Sequence, residues 1–316
     1  MNTPFTAVEA RAPGKIILAG EHAVVYGRPA LAVPVFGVRA RVQVRPTTGS
    51  MWLSAPAVNV DAPVAALAPD HPLRRTVELA RHVLGPWPTA AIRILSDIPV
   101  AAGLGSGAAV TVALLRALAG FTGRALPDAQ VNALAYEIEK LHHGTPSGID
   151  NTVITYARPI LYRKGEGWQP LHVGGPVPLV IADSGRAAST RTMVAEVRAR
   201  RDAAPARYEA LFDAIAQVVR LAQASLAAGD LLRLGQALSR NHELLQNLGV
   251  STPELDALVG VALAAGAFGA KLAGAGGGGN IIAVTAAEAQ KRVAQALRAA
   301  GAARVILTVI PPTEAS

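Results

Sequence analysis

The chain contains no cysteine. Disulfide staples and thiolate-held zinc are therefore excluded, and the composition fits a reducing cytoplasm. Aromatic residues are scarce, at 4%, so a core must be built from many small aliphatic contacts. Charged residues are also few: 16% against 51% hydrophobic is the wrong balance for a disordered chain. No stretch reaches the roughly 18 consecutive apolar residues of a bilayer span, so no membrane association is expected. Met1 to Ala10 lacks a basic run followed by an apolar one, so no secretory leader is expected either.

What the sequence does carry is glycine and positive charge. Its 316 residues, enough for one large domain or two ordinary ones, have a formal net charge of +8. The arginines are scattered, as at Arg39, Arg41, Arg45, Arg74, Arg75, Arg116 and Arg233, with a tighter group at Arg198, Arg200 and Arg201. No aromatic-interleaved basic stripe accompanies them, so a nucleic-acid partner is not expected. The charge suits either attraction of small polyanions or a set of solvated faces.

Strand and helix patterns mix along the chain. Val8 to Arg11 and Lys15 to Leu18 read as extended, broken at Pro13-Gly14. From Val33 to Val44 the apolar residues Val38, Ala40, Val42 and Val44 alternate with polar ones, the pattern of a half-buried strand. Ala91 to Leu95 is a further strand, and Ala108 to Leu118 a helix. Asp128 to His142 has Val131, Leu134, Ala135, Ile138 and Leu141 on one helical face. Thr152 to Tyr156 and Ile160 to Arg163 read as extended. Gly174-Gly175-Pro176 is the best boundary, giving domains at 1–175 and 176–316. Beyond it come strands at Val177 to Ala182, Ile281 to Val284 and Val305 to Val309. Helices are expected at Thr190 to Arg200, around Tyr208 to Val219, at Pro253 to Leu263 behind a Thr252 cap, and at Ala287 to Ala299. The fold class is α+β.

Three motifs carry the chemistry. In the first, Ala12-Pro13-Gly14-Lys15 leads through an apolar strand to Gly20-Glu21-His22, and Lys15 is oddly placed for a merely solvated lysine. A cation there would neutralise charge on a transferred phosphoryl group or ease deprotonation of a hydroxyl. The second, Pro99-Val100-Ala101-Ala102-Gly103-Leu104-Gly105-Ser106-Gly107-Ala108-Ala109, sits between a strand and a helix. That order aims loop N–H groups and a positive dipole end at one anion. No Gly-Lys-Ser/Thr follows, so it is not a Walker loop. The third, Gly274-Ala275-Gly276-Gly277-Gly278-Gly279, puts five glycines in six residues, costly to order, and is expected to let phosphate or substrate approach the backbone closely rather than to be a flexible linker. Between the last two lies His143-Gly144-Thr145-Pro146-Ser147-Gly148-Ile149-Asp150, with Asp150 a carboxylate in a turn of small residues.

In this order and spacing the motifs resemble the GHMP small-molecule kinases over nearly the whole chain. The resemblance implies a two-lobed fold, with a ribosomal S5 domain 2-like N-terminal lobe and a ferredoxin-like C-terminal lobe. It implies ATP and Mg2+ as cofactors and a small alcohol as acceptor. Within the family, Lys15 and His22 match the branch whose acceptor is the 5-hydroxyl of mevalonate; phosphomevalonate and homoserine are the alternatives. By the same resemblance Asp150 and Lys15 are the catalytic pair, converging on the terminal phosphorus of the nucleotide. Pro99, Ala102, Gly103, Leu104, Gly105, Ser106, Gly107 and Ala108 form the ATP loop. Glu139 and Ser106 are the metal ligands. Glu21, His22, Ser147 and Thr190 stand on the substrate side, and Gly276 and Gly277 line the cleft. A homodimer is possible, since family members often pair. Two positions depart from the family pattern: Gly107 replaces a second serine that would ligate magnesium, and Asn280 follows the last glycine, where a small or acidic residue is usual.

Overall fold

The computed structural model describes residues 6–100, 102–143, 146–186 and 189–313, the side chains of 142 and 143 excepted. Two units emerge: Met1–Gly14, Val38–Val100 and Leu104–Ala157 form one, and Lys15–Gly37, Ala101–Gly103 and Arg158–Ser316 the other. Residues 15–37 fall with the C-terminal part of the chain, so no single cut near Gly174-Gly175-Pro176 separates the units.

Strand β1 (Val8–Ala19) runs unbroken through Pro13-Gly14 and pairs with β2 (Ala30–Pro46). β2 starts before its alternation does, because Ala30 to Val35 are all buried and a strand covered on both faces shows no period of two. Past Gly37 the alternation takes over, with Val38, Ala40, Val42 and Val44 buried.

In unit one, β3 (Trp52–Ala55) and β4 (Val60–Pro63) form a hairpin. Helix α1 (Pro72–Leu84) precedes β5 (Ala90–Ser96), which pairs antiparallel with β2 and parallel with β3. Helices α2 (Ser106–Thr122), α3 (Asp128–His143) and α4 (Ile149–Tyr156) complete it. The central helix is α2, packed on α1, α3 and α4. Its Leu114, Leu115 and Leu118 have no exposed surface, and each buried side chain contributes about 1.5–3 kcal/mol. Arg116 ties the three helices, donating to Asp128 on α3 and to the Thr155 carbonyl on α4.

The expectation of an extended Thr152 to Tyr156 is corrected: this segment is α4. Its β-branched run suggested a strand, but Gly148, left-handed at φ 89°, starts a helix whose Ile149 and Asn151 to Thr155 are all buried. Asn151 donates to Asn132 on α3 at 2.6 Å, and Thr152 to the Gly148 carbonyl at 2.7 Å. Tertiary burial outweighs local propensity here.

In unit two, β6 (Ile160–Arg163) and β7 (Gly167–Pro170) form a hairpin on the first half of β2, with Ala30 opposite Tyr162. Then come β8 (Val177–Asp183), α5 (Thr190–Ala203), α6 (Pro205–Ala228), α7 (Leu231–Asn247) and α8 (Pro253–Ala264). β9 (Gly269–Ala273), β10 (Asn280–Val284), α9 (Gln290–Ala299) and β11 (Arg304–Ile310) end the unit. The sheet order is β11-β8-β10-β9, antiparallel throughout, which is the ferredoxin-like arrangement expected of this part. Thr252 caps α8 as its position before Pro253 implies, accepting from the Leu255 N–H.

Among the described residues only α6 is long and apolar enough, by length and composition, to cross a membrane. Its Tyr208, Phe212, Ile215, Val219 and Leu226 are buried within the unit, where it packs on α5 and α7.

Candidate active site

The second motif, whose residues 101–103 fall with unit two, delivers the chain to the start of α2 in unit one. Gly105 takes the left-handed conformation as N-cap, and no side chain caps the helix. The Ala109 N–H bonds back to the Gly105 carbonyl at 2.9 Å. The N–H groups of Ser106, Gly107 and Ala108 have no carbonyl within the helix to reach, so they and the helix dipole form a positive end. The loop is anchored by Leu104, 1% exposed, while Gly103 and Gly107 are exposed. Glu139 is buried on α3, unlike its neighbours Glu137 and Lys140, which pair with each other at the surface. Asp150 lies in the first turn of α4, half-buried, rather than in a free turn. Ser147 has a local role, accepting from the Ile149 N–H at 3.3 Å ahead of α4. Gly144 and Thr145, and the side chains of His142 and His143, lie outside the described residues.

In unit two, Lys15 is 6% exposed on β1, consistent with a cation set into the fold rather than solvated. Glu21, expected on the substrate side, has both carboxylate oxygens engaged by protein. Lys271 Nζ on β9 pairs with Oε1, and Asn241 Nδ2 on α7 donates to Oε2 at 3.3 Å. Lys271 is fully buried. Burial pushes its ammonium below the usual lysine range, with Glu21 pulling the other way.

His22 follows with φ 60° and ψ −50°, and the Ala23 N–H reaches the Glu21 carbonyl at 2.6 Å. This is a γ-turn of the rarer, strained hand. A non-glycine residue held so costs about 1–3 kcal/mol and persists only where its surroundings impose it. Its Nε2 lies 2.8 Å from the Ala275 carbonyl, inside the third motif. A carbonyl only accepts, so Nε2 carries the hydrogen and a neutral ring presents Nδ1 as acceptor. Burial pushes this imidazole below the ordinary histidine range, against the Ala275 hydrogen bond and the Glu21 charge.

The glycine run itself is braced by its own protein. A Cβ on Gly276 would lie 2.1 Å from the Val250 carbonyl oxygen, and one on Gly278 would lie 2.5 Å from that of Arg186. The N–H groups of Gly277 and Gly279 bond to those same two carbonyls, at 2.8 and 2.7 Å. Close backbone approach is thus the reason for glycine at 276 and 278, and the approaching group is backbone. Gly274 and Gly279 have open space where a side chain would go. Thr190 is exposed at the start of α5, with Ser189 as its cap, while Ala187 and Ala188 lie outside the described residues.

Lys271, Asn241 and His242 lie outside the three motifs. Lys271 was legible as a lone lysine between apolar neighbours just before the glycine run. Asn241 and His242 lie on α7, whose strong apolar periodicity behind the Asp230 cap was the missed signal. His242 Nδ1 accepts from the Leu272 N–H at 3.3 Å, and its Nε2 is 3.1 Å from Asp256.

The two α+β units belong to a class of small-molecule phosphotransferases. The family model described as GHMP kinases N terminal domain matches residues 72–158, and that described as GHMP kinases C terminal matches 202–303. A mevalonate kinase of Pyrococcus horikoshii is 35% identical, the match covering 96% of this chain and 95% of that one. A mevalonate kinase of Thermococcus gammatolerans is 36% identical, over 96% of each. Among solved structures, L. major mevalonate kinase in complex with R-mevalonate has a TM-score of 0.86 at 28% identity and 100% coverage of both chains. The Methanococcus jannaschii mevalonate kinase has a TM-score of 0.84 at 26% identity, covering 99% and 100% of the two chains. The chain belongs to the GHMP kinase family, among the mevalonate kinases, and is an ATP-using kinase.

Proposed function

We propose that the chain transfers the γ-phosphoryl group of ATP to the 5-hydroxyl of mevalonate, giving 5-phosphomevalonate for isoprenoid synthesis. The observation that carries this reading, beside the family, is the uncapped start of α2 behind a glycine loop, a ready cradle for the polyphosphate. Pro99, Ala102, Gly103, Leu104, Gly105, Ser106, Gly107 and Ala108 are its ATP-binding residues. Asp150 accepts the proton of the attacking hydroxyl, and Lys15 offsets charge on the transferred group. Most of the acceleration is positioning and charge stabilisation. His22 and Thr190 serve the acceptor side.

Magnesium fits the residues present. Among the described residues no group of three or more His, Asp or Glu side chains forms a cage. Glu139 and Ser106 would supply only two oxygen donors, which suits an ion that keeps waters and takes phosphate oxygens as ligands. Its contribution when bound is to neutralise charge on the phosphates. Gly107 offers no hydroxyl, so weaker metal binding than with two serines is expected. ATP as donor fits a cytoplasmic enzyme whose partners are small molecules.

A coupled assay of ADP release tests the reading. Turnover with mevalonate and Mg-ATP, and little with phosphomevalonate or homoserine, is expected. Preference for either of the other alcohols would replace the acceptor, and no turnover with any would end the proposal.

A further inference from the structure

The pair between Glu21 and Lys271 has no part in the chemistry proposed above, yet it occupies one of the most protected places in unit two. Lys271 has no exposed surface and Glu21 is 2% exposed. The pair joins the turn after β1 to β9, and Asn241 of α7 completes the carboxylate's bonding. Four residues past Lys271 the same chain reaches Ala275, whose carbonyl is held by the residue after Glu21. Residues 21 and 22 therefore grip the 271–275 segment at two points, one an ion pair and one a hydrogen bond.

Between those grips sits the strained γ-turn at His22. Strain of this kind needs fixed surroundings on both sides. On its far side the 3₁₀ turn Ala23–Tyr26 is packed on α6, with Tyr26 stacked on Phe212 at 4.4 Å. On its near side the fixture is the ion pair. A buried ion pair is a poor source of stability, since apolar residues of the same shape often do as well. The best-attested use of such a pair is to fix one register or geometry.

We propose that Glu21 and Lys271 are positioning residues, whose ion pair holds the His22 turn so that its ring fixes the glycine-rich loop at Ala275 and so sets the binding of the acceptor alcohol. The last step rests on the function proposed above; the hold on His22 does not. Glu21 on this view does not contact the substrate.

The test is the double variant Glu21→Gln/Lys271→Met, which removes both charges without leaving one buried alone. With the fold retained by circular dichroism, the KM for the alcohol should rise at least tenfold while that for ATP stays within twofold. Long-range 1H–15N spectra of the His22 ring, without substrate, should change from a single Nε2–H tautomer to a mixture. A folded double variant with unchanged tautomer and unchanged KM would overturn the proposal and leave the pair as packing only. If the double variant does not fold, Glu21→Asp keeps both charges and draws the carboxylate back by one methylene. In that variant a mixed tautomer with a raised alcohol KM supports the proposal, and no change in either overturns it. The ring spectrum needs no substrate, so a wrong acceptor would defeat the proposed function and leave this result standing.

Discussion

Asn280, buried at the first position of β10, donates its side-chain amide to the backbone carbonyl of Ala102. One residue ends the glycine run and the other opens the loop that leads into α2, so the departure from the family pattern at 280 acquires a purpose. Replacing Asn280 with alanine removes the donor and leaves a carbonyl without its partner, at a cost of about 1 kcal/mol or more. If the bond sets the ATP loop, the KM for ATP should rise about fivefold, since 1 kcal/mol corresponds to roughly that factor. The alcohol KM should move less. Steady-state kinetics with each substrate varied in turn checks the split.

Asp150→Ala is expected to lower kcat by about 10²–10⁴-fold, the usual contribution of a positioned base, with ATP affinity within about twofold of the parent. Single-turnover phosphorylation together with nucleotide binding separates the two. Near-normal transfer would remove Asp150 from its proposed role.

Phe212 is wholly buried on α6 beneath Tyr26, with the Arg28 guanidinium 5.9 Å from its ring centroid and itself bonded to Asp213 and Glu209. Phe212→Ala should destabilise unit two by about 3–5 kcal/mol, and Phe212→Leu by less than about 1.5. Urea unfolding measures both.

The elements that sequence reading located were those with a strict period or a punctuating residue. The alternation of β2 past Gly37, the Val131, Ala135 and Ile138 face of α3 and the Thr252-Pro253 start of α8 are all of this kind, whereas Leu141, expected on that α3 face, is 48% exposed. What escaped had its signal in contacts between distant residues. Thr152 to Thr155 looks like a strand because propensity cannot see that α2 and α3 cover both sides. The glycine run, expected to admit phosphate or substrate, is met at 276 and 278 by the protein's own backbone. That the approaching groups are the Val250 and Arg186 carbonyls lies beyond local pattern. Lys271 was in plain view, but its partner stands 250 residues away.

Stability should fall on acidification. Burial is the main cause holding both His22 and His242 below the ordinary histidine pKa; Glu21 acts the other way on His22 and Asp256 on His242. With the folded pKa depressed, the unfolded chain binds more protons in the window between the two values. Stability therefore rises with pH through that window, and is lost as pH drops below about 6.5 toward the folded values. The slope is at most about 1.4 kcal/mol per pH unit for each ring. Unfolding free energies between pH 7.5 and 5.5, compared with those of a His242→Gln variant, should show one ring's share of the slope removed (~1 proton).

Two alanine substitutions in one loop separate strain from collision. Gly274 has φ 98° with nothing within 4 Å of an added Cβ, so Gly274→Ala meets only the backbone penalty of a left-handed residue. Gly276 has φ 79° and would drive its Cβ to 2.1 Å from the Val250 carbonyl oxygen, so Gly276→Ala meets that penalty and a clash with backbone that cannot swing aside. The first should cost about 1 kcal/mol, and the second about 2–4 kcal/mol, since overpacking adds to strain. Relief at Gly276 requires the loop to move from Val250, which also breaks the Gly277 N–H bond to that carbonyl. The Ala275 carbonyl moves with it, away from the His22 ring. Gly276→Ala should therefore lose the fixed His22 tautomer along with stability, and Gly274→Ala should keep it. Equal losses of stability in the two variants would show that the loop yields freely and that the Val250 contact does not fix it.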